Sequence, residues 1–392
     1  MVIFLVVAST VWLLAHFYVS KRLFPPWRDN PAKRRAKRAF WILAPLAPLT
    51  MMVGRFAADV AWLAPFKWLG FVHMGFFFLL FCFLVFRDIA LLLEDGARRV
   101  AKKPVDPERR RFLENASNAG IVGASGVLSG WGLYESLVVP TVVEVDVPLA
   151  DLPPALDGFR IVQLSDIHVG PTIRRGELQR FVDAANALEP DLIVVTGDLV
   201  DGYVDDLRDE VAPLGELHAP EGVFFCTGNH EYYWDAHAWI AEVARLGVTP
   251  LINEHRVVQR DGASILMAGC TDYSAHRLVP EHRSDPAKAI EGAPAHDVSI
   301  LLAHQPKSAD AAFAAGFDLQ LSGHTHGGQF FPVLLFVGLV HPFSAGLGEM
   351  VRGARRMWVY VNRGTGYWGP PQRAGVPAEI TVLRLVREAG EA

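Results

Sequence analysis

Gly323–His324–Thr325–His326–Gly327–Gly328–Gln329 follows directly on the apolar run Phe317–Leu321. Two imidazoles two residues apart, set between glycines at the end of a short apolar run, indicate a strand whose carboxyl end opens into a tight, ligand-bearing loop. The same grammar recurs upstream. Phe159–Leu164 reads as a strand and is followed by Asp166–Ile167–His168; Asp191–Thr196 is followed by Gly197–Asp198; Gly222–Cys226 by Gly228–Asn229–His230–Glu231; and Val298–Ala303 by His304. Taken singly, an Asp after a strand caps the next helix and a His packs in the core. Five such clusters in order, each at a strand end, are not accounted for that way.

Between the strands, Arg175–Leu188 and the stretch around Asp235–Leu246 have helical periodicity. Further strands are expected at Ser264–Ala268, Met357–Val361 and Ile380–Leu385. Strand–loop–helix alternation predicts an α/β domain with function at the carboxyl ends of the strands. The clustered groups are carboxylates, imidazoles and one amide carbonyl, a nitrogen and oxygen donor set that suits Zn, Mn or Fe. A carboxylate able to bridge would permit two ions about 3.5–4 Å apart. The three cysteines, Cys82, Cys226 and Cys270, form no CxxC pair, which speaks against a thiolate metal site. Cys226 and Cys270 are either a disulfide of an extracytoplasmic domain or two core residues.

Upstream of this region the character changes. The first 140 residues carry a net charge of +9 and the remainder −14, within a chain of 392 residues that is 51% hydrophobic. An apolar, basic segment followed by an acidic, mixed one predicts a membrane region over residues 1–140 and a globular domain over 141–392. Val2–Ser20, Phe40–Leu63 and Trp68–Leu93 are long enough for a bilayer, which takes roughly 20 residues, and Ala119–Val139 is a weaker fourth. The basic loops after the first span and before the fourth (Arg98 to Arg111) are cytoplasmic by the positive-inside rule. A fourth span would then carry the globular domain outside the cytoplasm, in a multi-pass cell-membrane protein. Arg109–Arg110–Arg111–Phe112–Leu113 is similar to a twin-arginine export signal set internally, or else anchors a helix end. Arg55 and Asp59, four apart, neutralise each other, and His73 reads as a packing residue rather than a proton relay. The acidic domain speaks against nucleic acid as a partner, since it has no basic excess to neutralise phosphates.

The order D-x-H, G-D, G-N-H-E, H, G-H-x-H resembles the calcineurin-like metallophosphoesterase superfamily. The GHTHGGQ ending and Val361–Asn362–Arg363–Gly364–Thr365–Gly366 are similar to its membrane-associated bacterial branch, and the match covers Gly158–Val386. The resemblance implies a four-layer α/β/β/α sandwich of two mixed sheets flanked by helices. It implies Asp166, His168 and His326 on a first divalent metal ion, Asp198 bridging, and Asn229, His304 and His324 on a second. His230 would be the catalytic group contacting the phosphate and protonating the leaving oxygen, with Glu231 orienting it. Asn362 stands where a small hydroxyl residue is common. The implied reaction is hydrolysis of a phosphate ester, a phosphodiester or lipid-linked phosphate, by metal-activated hydroxide. The alternative is a non-catalytic membrane sensor or scaffold that keeps the fold, for which loss of ligands would be the signature. No ligand is lost.

Overall fold

The computed structural model describes residues 2–25, 31–50, 63–102 and 106–388. The chain divides into two compact units, Met1–Tyr134 with Gly369–Ala374, and Glu135–Trp368 with Gly375–Ala392. A short late segment thus belongs with the first unit.

The first unit is helical, with helices at Val2–Leu23, Pro31–Leu43, Ala64–Val100 and Pro107–Leu137, the last running into the second unit. Among the described residues one helix, Ala64–Val100, is long and apolar enough to cross a membrane. It contains the third expected span. Much of the second, with Arg55 and Asp59, lies outside the described residues. His73 packs in an aromatic group with Trp12, His16 and Phe77. The arginines 109–111 lie in the first turns of Pro107–Leu137, where Arg110 pairs with Asp95 at 2.6 Å and Glu114 at 3.2 Å.

The second unit holds two six-stranded sheets. The strands are β1 (Thr141–Leu149), β2 (Arg160–Leu164), β3 (Leu192–Val195), β4 (Val223–Phe225), β5 (Thr249–Pro250), β6 (Glu254–Arg260), β7 (Ala263–Gly269), β8 (Val298–Leu302), β9 (Leu319–Ser322), β10 (Gly346–Arg352), β11 (Arg355–Val361) and β12 (Glu379–Arg387). One sheet has the order β1-β12-β2-β3-β4-β5 and the other β10-β11-β9-β8-β7-β6. Both are mixed: β2, β3 and β4 run parallel, as do β7, β8, β9 and β11, while β12 against β2, β6 against β7 and β10 against β11 are antiparallel.

Runs such as Leu192–Val195 and Val298–Leu302 are buried throughout because both faces of their sheets are covered. One apolar cluster, including Ile161, Val194, Ile265, Ile300 and Leu383, joins the inner faces of the two sheets. A second packs Leu178, Phe181, Leu207 and Trp239, from three helices, on the outer face of the first sheet. A third packs Ala289, Ala312 and Phe313 on the outer face of the other. This is the expected α/β/β/α layering. Cys226 and Cys270 are free and buried, in different clusters, so no disulfide joins them.

Candidate metal centre

Parallel pairing decides where the ligands meet. β2, β3 and β4 are neighbours with carboxyl ends at the same edge, so the loops carrying Asp166, Asp198 and Asn229 emerge side by side. β8 and β9 do the same for His304, His324 and His326 in the other sheet. Backbone bonds tie the loops together: Asp166 N–H donates to Gly197 O at 3.0 Å, His168 N–H to Asp198 O at 3.1 Å and Gly323 N–H to His304 O at 2.9 Å.

Within this edge, three groups bring ligand atoms to within 4.8 Å of one another: Asp166, His168 and His326; Asp198, His304 and His324; and His168, Asp198 and His230. His168 Nε2 lies 3.1 Å from His326 Nε2, which lies 3.3 Å from Asp166 Oδ1. His304 Nε2 lies 3.1 Å from Asp198 Oδ2 and 3.3 Å from His324 Nδ1. Asp198 Oδ2 is also 4.0 Å from His168 Nε2, so its carboxylate faces both groups. Asn229 is buried, and its Oδ1 has no hydrogen-bond partner among the described residues. A buried, unpaired carbonyl is costly, and Asn229 precedes His230, whose backbone N–H donates to Asp198 Oδ1 at 2.8 Å.

The backbone is bent to make this arrangement. Asp166, His168, Asp198, His324 and His326 all have positive φ, between 49° and 71°. Such conformations cost of order 1–3 kcal/mol each and persist where the surroundings over-determine them. The outer contacts do so. Ser165 Oγ donates to Asp166 Oδ2 at 2.6 Å and His324 N–H donates to the same carboxylate at 3.0 Å. His304 Nδ1 faces Thr196 O at 2.8 Å, which directs its Nε2 to the site. Thr365 N–H donates to Ser165 O, and Gly366 N–H to Asp166 O, so the late glycine-rich segment braces the first loop. Asn362, the residue that departs from the expected hydroxyl, accepts from Gly364 N–H at 2.7 Å and donates to Thr381 Oγ1 at 2.9 Å.

The buried carboxylates and imidazoles shift one another, and, against the effect of burial, Asp198 raises His304 well above its ordinary value. Burial pushes the Asp198 pKa up, but the imidazoles of His304 and His230 more than reverse this and hold it well below the carboxylate range. Asp166 follows the same pattern, with His326 as the main counter-influence. Burial and the neighbouring His304 lower His324 to about 3. It is therefore a neutral imidazole, the ligating form.

The expected role of Glu231 needs correction. Its carboxylate does not reach the His230 ring. It accepts instead from the backbone N–H groups of Gly228 (2.6 Å), Leu199 (2.7 Å) and Asp198 (3.2 Å), holding the two ligand loops in register. Asp201 partners His230: its Oδ1 is hydrogen-bonded to His230 Nδ1, and its Oδ2 lies 3.3 Å from His168 Nδ1. Burial lowers the His230 pKa, but Asp198 and Asp201 outweigh it and raise it to about 10. The Nε2 of His230 points inward, 3.8 Å from Asp198 Oδ2. The second aspartate in Gly197–Asp198–Leu199–Val200–Asp201 was the available signal for this residue.

The family model for calcineurin-like phosphoesterases matches residues 159–328. The chain is 37% identical over 396 residues to a "Transmembrane protein with metallophosphoesterase domain" from Bos taurus, covering 96% of this chain and 87% of that protein. A protein of the same description from Danio rerio is 35% identical over 405 residues, covering 97% of this chain and 89% of that one. An uncharacterized metallophosphoesterase from Helicobacter pylori is 34% identical over 281 residues, covering 71% and 73%.

Proposed function

Because the chain belongs to the calcineurin-like metallophosphoesterase family, we propose that it is a membrane-anchored hydrolase of phosphate esters, a phosphodiester or lipid-linked phosphate, working with two divalent cations of Mn, Zn or Fe type. Asp166, His168 and His326 hold one ion. Asn229, His304 and His324 hold the other, and Asp198 serves both. The observation that carries the reading is the convergence of Asp166, His168 and His326, and of Asp198, His304 and His324, each group with ligand atoms within 4.8 Å of one another. When bound, two such ions neutralise phosphate oxygens and bring a water's pKa toward about 7.

The chain's own residues supply the remainder. In the hydrolysis a water gives one proton to solvent, its oxygen forms a bond to phosphorus and the bond to the leaving oxygen breaks. His230, whose Nε2 faces the site, donates its Nε2 proton to that oxygen. Asp201, bonded to Nδ1, fixes the ring so that Nε2 faces the site. The helix Ala64–Val100 serves as the membrane anchor, and the basic loops favour a catalytic domain outside the cytoplasm.

The test is chelation and reconstitution of the detergent-solubilised full chain. Hydrolysis should disappear on metal removal and return with Mn²⁺ or Zn²⁺. Asp198→Asn should lower the occupancy of both ions together, because one carboxylate serves both. Full activity in metal-free protein would refute the two-metal reading.

A further inference from the structure

Immediately after Gln329 comes Phe330–Phe343, fourteen residues without one Asp, Glu, Lys or Arg. Its middle forms a 3₁₀ turn at Val333–Leu335 and a short helix at Val337–Val340. Their apolar side chains are not buried: Leu335 is 58% exposed, Phe336 49%, Leu339 82% and Val340 64%. Apolar residues scattered singly on a surface are ordinary, but a contiguous charge-free ridge marks an interaction site.

The ridge is fastened to the metal centre rather than hanging free. A Cβ on Gly328 would lie 2.4 Å from Leu334 Cα, so the ridge backbone packs directly on the ligand loop. Thr325 Oγ1, between the two ligating histidines, donates to Ser344 O at 2.6 Å where the ridge ends. The His341 ring lies 5.5 Å from that of His324. Across the site, the half-exposed rings of Tyr233 and Trp368 lie 5.2 Å and 5.8 Å from His230.

A protein partner's interface would bring a polar rim and hydrogen-bonding groups to match. This ridge offers aliphatic and phenyl groups without charge, which suits hydrocarbon, and the same chain carries a helix able to cross a membrane. We propose that Val333–Val340 dips into the acyl region of a bilayer leaflet. Headgroup phosphates are thereby brought to the level of His230, and the substrate is a phosphate ester carried by a membrane lipid. This rests on the phosphoesterase reading above and narrows it.

The experiment uses the full chain in phosphatidylcholine–phosphatidylglycerol nanodiscs. A nitroxide is attached at Leu339→Cys in a Cys82→Ala background, since Cys226 and Cys270 are buried. The label should relax strongly with oxygen and be shielded from a water-soluble nickel chelate. Chelate access would overturn the proposal. So would shielding from both reagents accompanied by dimer cross-links, which would assign the ridge to a second copy. In parallel, Leu335→Ser/Phe336→Ser/Leu339→Ser should lower the ratio of phosphatidylglycerol to bis(p-nitrophenyl) phosphate turnover at least tenfold. An unchanged ratio would overturn the substrate assignment. A label in lipid with neither ester cleaved would remove the phosphoesterase reading and leave only the leaflet contact standing.

Discussion

Asp198 and Asp201 stand three residues apart and carry separate tasks. The left-handed backbone at Asp198 turns the chain so that Val200 bridges to Val169, which sets Asp201 against the His230 ring while Asp198 faces the ligands. If Asp201 acts through His230, Asp201→Ala should lower kcat about 10²-fold on alkyl esters, the scale of general acid catalysis. It should do less on p-nitrophenyl esters, which need little protonation. Metal content is the control, because Asp201 also touches His168. The double variant Asp201→Ala/His230→Ala should be no slower than His230→Ala alone, since residues acting as one unit are not additive. Additive losses would show that Asp201 works elsewhere.

At the level of elements, strand ends and glycines set the ligand spacing. A Cβ on Gly323 would sit 2.0 Å from Ser165 Oγ and 2.1 Å from Asp166 Oδ2. Gly323→Ala should therefore push the carboxylate of Asp166 off its position. We expect loss of bound metal by elemental analysis and a fall in stability of about 1–3 kcal/mol, the usual cost of overpacking. Gly176→Ala is the matched control. It lies in the helix Arg175–Asn186 with nothing beyond its chain neighbours and its own helix backbone within 4 Å of the added carbon, and should leave both measurements unchanged or raise stability slightly. Equal metal loss in both variants would contradict the packing argument.

For the whole molecule, the proposed membrane anchoring predicts that the candidate ligand loops lie outside the cytoplasm. Arg110 is held by Asp95 and Glu114, pairings that Lys can also make. If Arg109 and Arg110 act as an export signal, replacing both with Lys should block export while keeping the charge. The measurement is protease accessibility of the globular unit in spheroplasts, expected in wild type and lost in the double-Lys form. Protection of the wild-type domain would place the site in the cytoplasm. Equal accessibility would keep the topology and remove the twin-arginine route.

Strand cores were legible in the sequence because runs such as Val298–Leu302 are buried on both faces and need apolar residues at every position. The loops carrying the candidate ligands were legible because Asp, His and Asn recur in them directly beside strand ends. Edge strands were not: Glu254–Arg260 and Gly346–Arg352 have polar, half-exposed patterns that only pairing with β7 and β11 makes into strands. Glu231 was misread for a related reason, since adjacency in sequence to His230 says nothing about direction. Its side chain turns to the backbone N–H groups of another loop, while Asp201, twenty-nine residues away in sequence, reaches the ring. Residue chemistry along the chain thus determined what the loops can bind. Which carboxylate faces the clustered imidazoles, the backbone of another loop or the His230 ring was decided only by the parallel pairing of β2, β3 and β4, because hydrogen bonds between loops depend on distances in space.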